Sequence, residues 1–267
     1  MSGDEFVVIC KSIDSDLIVE FANEVFNVLK EPLVIENNQI QINMSLGISQ
    51  EPMISEDTTE IFKHADAAMY QAKAEGRNRY HFFTNALSQR LREQRNIAAN
   101  LRKSLRNDEF ELVYQPQVDC KTGGFTSCEA LLRWCPVDKT KAVSPDVFIP
   151  IAERGELIGD IGSWVLRKAC QQAQEWKQKG IEIRIDINVS GKELEKSSYF
   201  KCLTACRDEY NLQPKDIGLE LTENVLIKSD STILEDLREQ RDLGVEISID
   251  DFGTGYSSLS YLKHFPV

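Results

Sequence analysis

The chain has 267 residues, enough for one large or two medium domains with a buried core, and its 42% hydrophobic and 28% charged residues are those of a globular protein. No apolar run approaches the roughly 18 residues of a membrane span, and the N-terminus lacks a signal-peptide pattern, so a cytoplasmic segment is expected, with any membrane anchor of the parent protein outside it. A net charge of −12 argues against non-specific attraction to nucleic acid or anionic lipid.

Charge divides the chain into three pieces. Residues 1–83 carry 6 basic and 14 acidic side chains, residues 84–106 carry 6 and 1, and residues 107–267 carry 19 and 28. In the first piece Phe6–Cys10 reads as a short apolar strand. Asp14 or Ser15 caps a helix with Leu17, Phe21, Val25 and Leu29 on one face. Pro32 stops that helix, and Leu33–Ile35 and Ile40–Ile48 form a hairpin around Asn37-Asn38. A second helix spans about 57–75, with Gly76 as its stop. The middle piece lacks Gly and Pro and spaces Leu87, Leu91, Ile97, Leu101 and Leu105 for one helix face, which predicts a connector helix.

The third piece alternates. Strands are expected at 109–114, 125–132, 181–188, 217–222 and 245–250, and helices at 145–153, 161–179, 197–209 and 231–242. This alternation predicts parallel strands joined by helical crossovers. Four of the strands end in an oxygen-bearing group: Glu129, Asn188, Glu220 and the pair Asp250-Asp251. Strand C-termini of a parallel β/α fold share one face, so these residues would meet in one acidic cup. Carboxylates that close raise one another's pKa unless a cation neutralises them, and hard ions such as Mg²⁺ or Mn²⁺ suit oxygen ligands. Any one of these acids alone reads as a solvated loop residue or a cap; the recurrence at one end of the sheet carries the signal.

Cysteine and histidine point nowhere else. The seven cysteines are odd in number and scattered, without a CxxC, which fits a reduced protein with buried thiols. Three histidines outside any Cys/His cluster leave no zinc site.

The motifs YQPQVD (114–119), EALLRW (129–134), SPDVFIPIAERGELIGDIGSWVL (144–166), INVS (187–190), LELTEN (219–224) and IDDFGTGYSSLSYLKHFP (249–266) resemble the EAL family in order and spacing. The resemblance covers about 107–267 and implies an α/β fold, a TIM-like β/α barrel that hydrolyses cyclic di-GMP to linear pGpG with two divalent cations, Mg²⁺ or Mn²⁺. By motif position Glu129, Asn188, Glu220, Asp250 and Asp251 look like metal ligands, and Gln115 and Arg133 like contacts to the dinucleotide. Glu223 looks like the residue that holds the loop 250–258. The run from Ser2 to Phe6, SLGIS (45–49) and ADAAMYQAKAEGRNRY (65–80) resemble the C-terminal part of an α+β GGDEF domain, where Lys73 and Arg77, one helical turn apart, match triphosphate contacts.

The reading is therefore of a partial GGDEF domain (1–83), a connector helix (84–106) and the front part of an incomplete EAL barrel (107–267). Those 161 residues compare with about 250 for a usual barrel, so this chain alone is expected to be inactive. The alternative is a module that binds cyclic di-GMP or a protein partner without hydrolysis. The partners implied are cyclic di-GMP and a second copy meeting through the EAL domain; no nucleic acid is expected and no membrane contact from this segment.

Overall fold

The computed structural model describes residues 4–10, 14–36, 38–50, 58–136, 142–196, 198–223, 225, 231–251 and 253. The chain divides into two compact units, residues 1–95 and 96–267.

In the first unit, α1 (Ser15–Val28) starts where Asp14 caps it, the carboxylate accepting the backbone N–H of Asp16 at 2.9 Å. Strands β1 (Leu33–Ile35) and β2 (Asn38–Ile40) pair antiparallel. The expected long second strand does not exist. It breaks after Ile40, and β3 (Ser45–Ile48) pairs parallel with β4 (Arg79–Phe82), a strand the sequence pattern did not reveal. Helix α2 (Thr58–Ala74) packs on both. It approaches β3 so closely that a Cβ on Gly47 would overlap the Ala65 carbonyl and the Met69 backbone. The expected strand at Phe6–Cys10 is irregular instead, with Phe6 and Ile9 more than four-fifths exposed. An apolar run becomes a strand only where its backbone finds a ladder partner.

Helix α3 (Asn85–Ser104) fulfils the helical reading of the basic segment. Its last turns belong to the second unit, where Leu101 is fully buried. Trp134 Nε1 donates to Ser104 Oγ at 2.9 Å, tying the helix end to the sheet.

The second unit is built on five strands in the order β5 (Phe110–Val118), β6 (Phe125–Trp134), β7 (Arg184–Val189), β8 (Ile217–Thr222) and β9 (Glu246–Asp250). Helices α4 (Pro145–Arg154) and α5 (Ile158–Gln178) link β6 to β7. The link from β7 to β8 holds α6 (Gly191–Leu194) and α7 (Tyr199–Glu209), and α8 (Ser231–Leu243) precedes β9. Three of the four pairings are parallel, as the alternation predicts. The first is not: β5 runs antiparallel to β6 and reaches beyond Tyr114 to Val118. Pro116 fits within it because β5 is the outer strand of the described sheet, where a missing N–H is tolerated.

Side chains alternate across a strand, and the two faces of this sheet differ in chemistry. One face carries Phe110, Cys128, Ala130, Trp134, Ile185, Ile187, Val189, Ile217, Leu219, Leu221 and Ile247. These join α5 residues such as Ile161, Leu166 and Ala169 in one core. The other parity places Gln115, Gln117, Ser127, Glu129, Arg133, Asp186, Asn188, Glu220 and Asp250 together on the opposite face. That polar face is concave. Gln117 Nε2 on β5 lies 3.2 Å from Glu220 Oε1 on β8, although two strands separate them in the sheet. A flat sheet would hold those strands about 14 Å apart.

None of the described cysteines forms a disulfide. Cys128, Cys170 and Cys206 are buried as expected, whereas Cys10, Cys120 and Cys135 are exposed. Among the described residues no helix is long and apolar enough to cross a membrane.

Candidate active site

The concave face brings together most of the acids singled out by the sequence. Asn188, on β7, is in register with Glu220 on β8, and Thr222 with Asp250 on β9. Asn188 Nδ2 donates to Glu129 Oε1 at 2.6 Å, a contact across 59 positions of sequence. Glu129 itself is not at a strand end, contrary to expectation, since β6 continues to Trp134 along antiparallel β5. It lies instead near the end of the stretch of β6 that pairs with β7, which stops at Ala130.

Electrostatics record the crowding. Burial pushes the Glu220 carboxyl up to about 7, and the negative charges of Glu129, Asp186 and Asp250 push the same way. The hydrogen bond from Gln117 opposes them. Asp186, just below on β7, is buried but neutralised by Arg184, whose Nε lies 2.6 Å from its Oδ1.

At the end of β9 the chain turns sharply. Asp251 adopts φ +54°, in the left-handed region, and its N–H donates to Asp250 Oδ1 at 2.8 Å. Adjacent strand residues normally face opposite sides; this turn removes Asp251 from the pleat. Gly253 follows at φ +89°, and its N–H donates to Glu223 Oε2 at 2.8 Å. Residues 252 and 254–258 of the expected loop lie outside the described residues.

Gln115 is exposed and in register with Glu129, and half-buried Arg133 is in register with Glu111, so both stand on the polar face. Lys73 and Arg77 belong to the other compact unit. They are not one helical turn apart. Helix α2 ends at Ala74, and Gly76, Arg77 and Asn78 all have positive φ, so Arg77 leaves the helix path.

The donor set is all oxygen, carboxylates and one amide, which suits a hard divalent ion in type. Among the described residues no three Asp, Glu, His or Cys side chains already form a metal-holding group.

The EAL-domain model matches residues 98–267, and the GGDEF (diguanylate cyclase) model matches residues 1–79. The chain belongs to the EAL-domain family, with a partial GGDEF domain ahead. It is 36% identical to cyclic di-GMP phosphodiesterase PdeR of Escherichia coli over 99% of its own length and 40% of that protein's. It is 34% identical to the bifunctional diguanylate cyclase/cyclic di-GMP phosphodiesterase MucR of Pseudomonas aeruginosa, over 100% of this chain and 39% of that one. The chain thus spans about two-fifths of the length of these curated relatives. Among solved structures, the PaMucR phosphodiesterase in complex with c-di-GMP is similar with a TM-score of 0.61 and 36% identity, covering 64% of this chain and 70% of that one. The EAL enzyme Bd1971 with cAMP and cyclic-di-GMP bound reaches a TM-score of 0.63 at 28% identity, covering 80% of this chain and 56% of that one. The fold is therefore α/β, with part of a TIM-like barrel.

Sequence reasoning missed several polar residues of this EAL unit: Gln117, Ser127, Arg184 and Asp186. Counting by twos back along each strand from Glu129 and Asn188 finds Ser127, Asp186 and Arg184, and counting forward from Gln115 finds Gln117. The pleat period was the available signal.

Proposed function

We propose that the EAL unit binds cyclic di-GMP on its concave polar face and that the parent protein hydrolyses it to pGpG as a metal-dependent phosphodiesterase. The observation that carries this reading is the convergence of Glu129, Asn188, Glu220 and Asp250, from four adjacent strands, on one face. The relatives' activity and the cyclic di-GMP seen in similar structures support it. Glu129, Asn188, Glu220, Asp250 and Asp251 would hold the two divalent cations, Mg²⁺ or Mn²⁺. Cations there supply charge neutralisation at a phosphate and a water made more acidic.

The chain's own residues do the rest. Arg133 provides a guanidinium on the polar face suited to a phosphate oxygen, and Gln115 an amide suited to a base or ribose. Glu223 fixes the backbone after Asp251 through Gly253, holding the turn that aims the Asp pair. The same reading keeps 1–83 as a GGDEF part and 84–106 as a connector ahead of an EAL part at 107–267.

Calorimetry with cyclic di-GMP and Mn²⁺ tests the proposal on this chain. Saturable binding that is lost in Glu129→Gln and weakened in Arg133→Ala is expected. Absence of any binding, or binding indifferent to both changes, would refute it.

A further inference from the structure

We infer that Gln117 is a positioning residue for Glu220, an inference that rests on Glu220 being a metal ligand. Gln117 lies near the end of β5, in register with Ser127 on β6. Ser127 is 1% exposed, so its hydroxyl has no solvent to turn to and needs a protein partner. It finds one in Gln117 Oε1, to which it donates at 2.5 Å.

The two partners together set which way the glutamine points: a carboxylate only accepts, whereas the Ser127 hydroxyl can donate or accept and here donates. A side-chain amide has one accepting end and one donating end. With the accepting end taken by Ser127, the NH₂ end faces Glu220, and Nε2 donates to Glu220 Oε1 at 3.2 Å. The relay runs from Ser127 through Gln117 to Glu220, from β6 by way of β5 to β8 across the concavity. It restrains Glu220 Oε1 and leaves Oε2 for a cation. Neither Gln117 nor Ser127 belongs to the ligand set, so both act through Glu220. Ligating carboxylates depend on such outer hydrogen bonds for their orientation.

The test is Mn²⁺ alone, titrated into the 267-residue chain and followed by the loss of the free-ion electron paramagnetic resonance signal, with thermal melting of each metal-free variant alongside. Gln117→Leu keeps the approximate size and removes the donor. It should weaken Mn²⁺ binding roughly ten- to a hundredfold, with the metal-free melting temperature little changed. Ser127→Ala should move the affinity in the same direction by less, since the amide then loses one of its two anchors; if Gln117→Leu melts early, Ser127→Ala decides. Wild-type affinity in both variants, while Glu220→Gln loses binding, overturns the inference alone. A wild-type chain that takes up no Mn²⁺, or a Glu220→Gln chain that binds as well as wild type, overturns the assignment of Glu220 and the inference with it.

Discussion

Glu223 Oε2 accepts a 2.8 Å hydrogen bond from the backbone N–H of Gly253, 30 residues later in the chain. This contact bridges the end of β8 to the turn beyond β9, so a carboxylate at one strand end sets the backbone that follows the Asp250-Asp251 pair. Glu223→Ala should therefore weaken Mn²⁺ binding by roughly ten- to a hundredfold. Glu223→Gln, which keeps an accepting oxygen, should lose less. Raising the Mn²⁺ concentration should rescue both. A Glu223→Ala chain with unchanged Mn²⁺ affinity would show that the turn holds itself.

Asp251 combines a positive φ with a charge, and substitution can separate the two. Asparagine tolerates the left-handed region better than other residues with a side chain, so Asp251→Asn keeps the turn and removes only the charge. We expect Asp250→Asn and Asp251→Asn each to lower Mn²⁺ affinity at least tenfold, with metal-free melting close to wild type. Asp251→Ala should in addition melt earlier, by about 1 kcal/mol of backbone strain. Calorimetry and thermal melts on the same samples separate these outcomes, and unaltered affinity in both Asn variants would remove the pair from the metal site.

Glu193 gives the EAL unit a pH dependence unrelated to catalysis. Its carboxyl is 5% exposed, packs so close to Gly162 that a Cβ there would overlap it, and accepts the Ser190 N–H at 2.9 Å. Burial pushes it up to about 7, with Glu153 adding to the rise and the Ser190 hydrogen bonds and Lys196 opposing it. A folded-state pKa above the unfolded value means that the native state binds the extra proton. The stabilisation is complete below about 4.5 and is lost as pH rises through 7. Glu220, raised for similar reasons, contributes with the same sign. Urea unfolding should thus show falling stability from pH 5 to pH 8, and Glu193→Gln should flatten part of that slope. An identical slope in the variant would contradict the assignment.

Arg207 is a buried cation whose Nη1 has no hydrogen-bond partner, while Nη2 donates to buried Gln240 at 3.3 Å. Gln240→Leu should destabilise by about 1–3 kcal/mol, because it strips an acceptor from a desolvated charge. Adding Arg207→Met should recover the loss or exceed it, since both polar partners are then gone. A double variant no more stable than Gln240→Leu alone would argue that Arg207 is better solvated than its burial implies.

The sequence made the EAL unit's elements legible because apolar period and turn residues agree there; β8 is found where it is expected, at 217–222. What it hid follows from pairing, which no local pattern encodes. The antiparallel entry of β5 displaced Glu129 from a strand end. The parallel partnership of β3 with β4 broke an expected hairpin strand, and Phe6–Cys10 had strand composition without a ladder partner among the described residues. In the candidate site, the conspicuous acids were visible one by one, near the ends of the stretches read as strands. The neutral residues that orient them, Gln117 and Ser127, carry no charge to attract notice and emerge only when the pleat is counted through.

The central claim, that Glu129, Asn188, Glu220 and Asp250 converge on the concave face to hold divalent cations, is tested most directly by paramagnetic broadening. Sub-stoichiometric Mn²⁺ added to the isotopically labelled chain should first erase the amide resonances around those four residues, and those around Asp251, while the equally acidic surface of α1 stays sharp. Uniform broadening across acidic surfaces, or loss beginning at α1 with the four strands untouched, would contradict it.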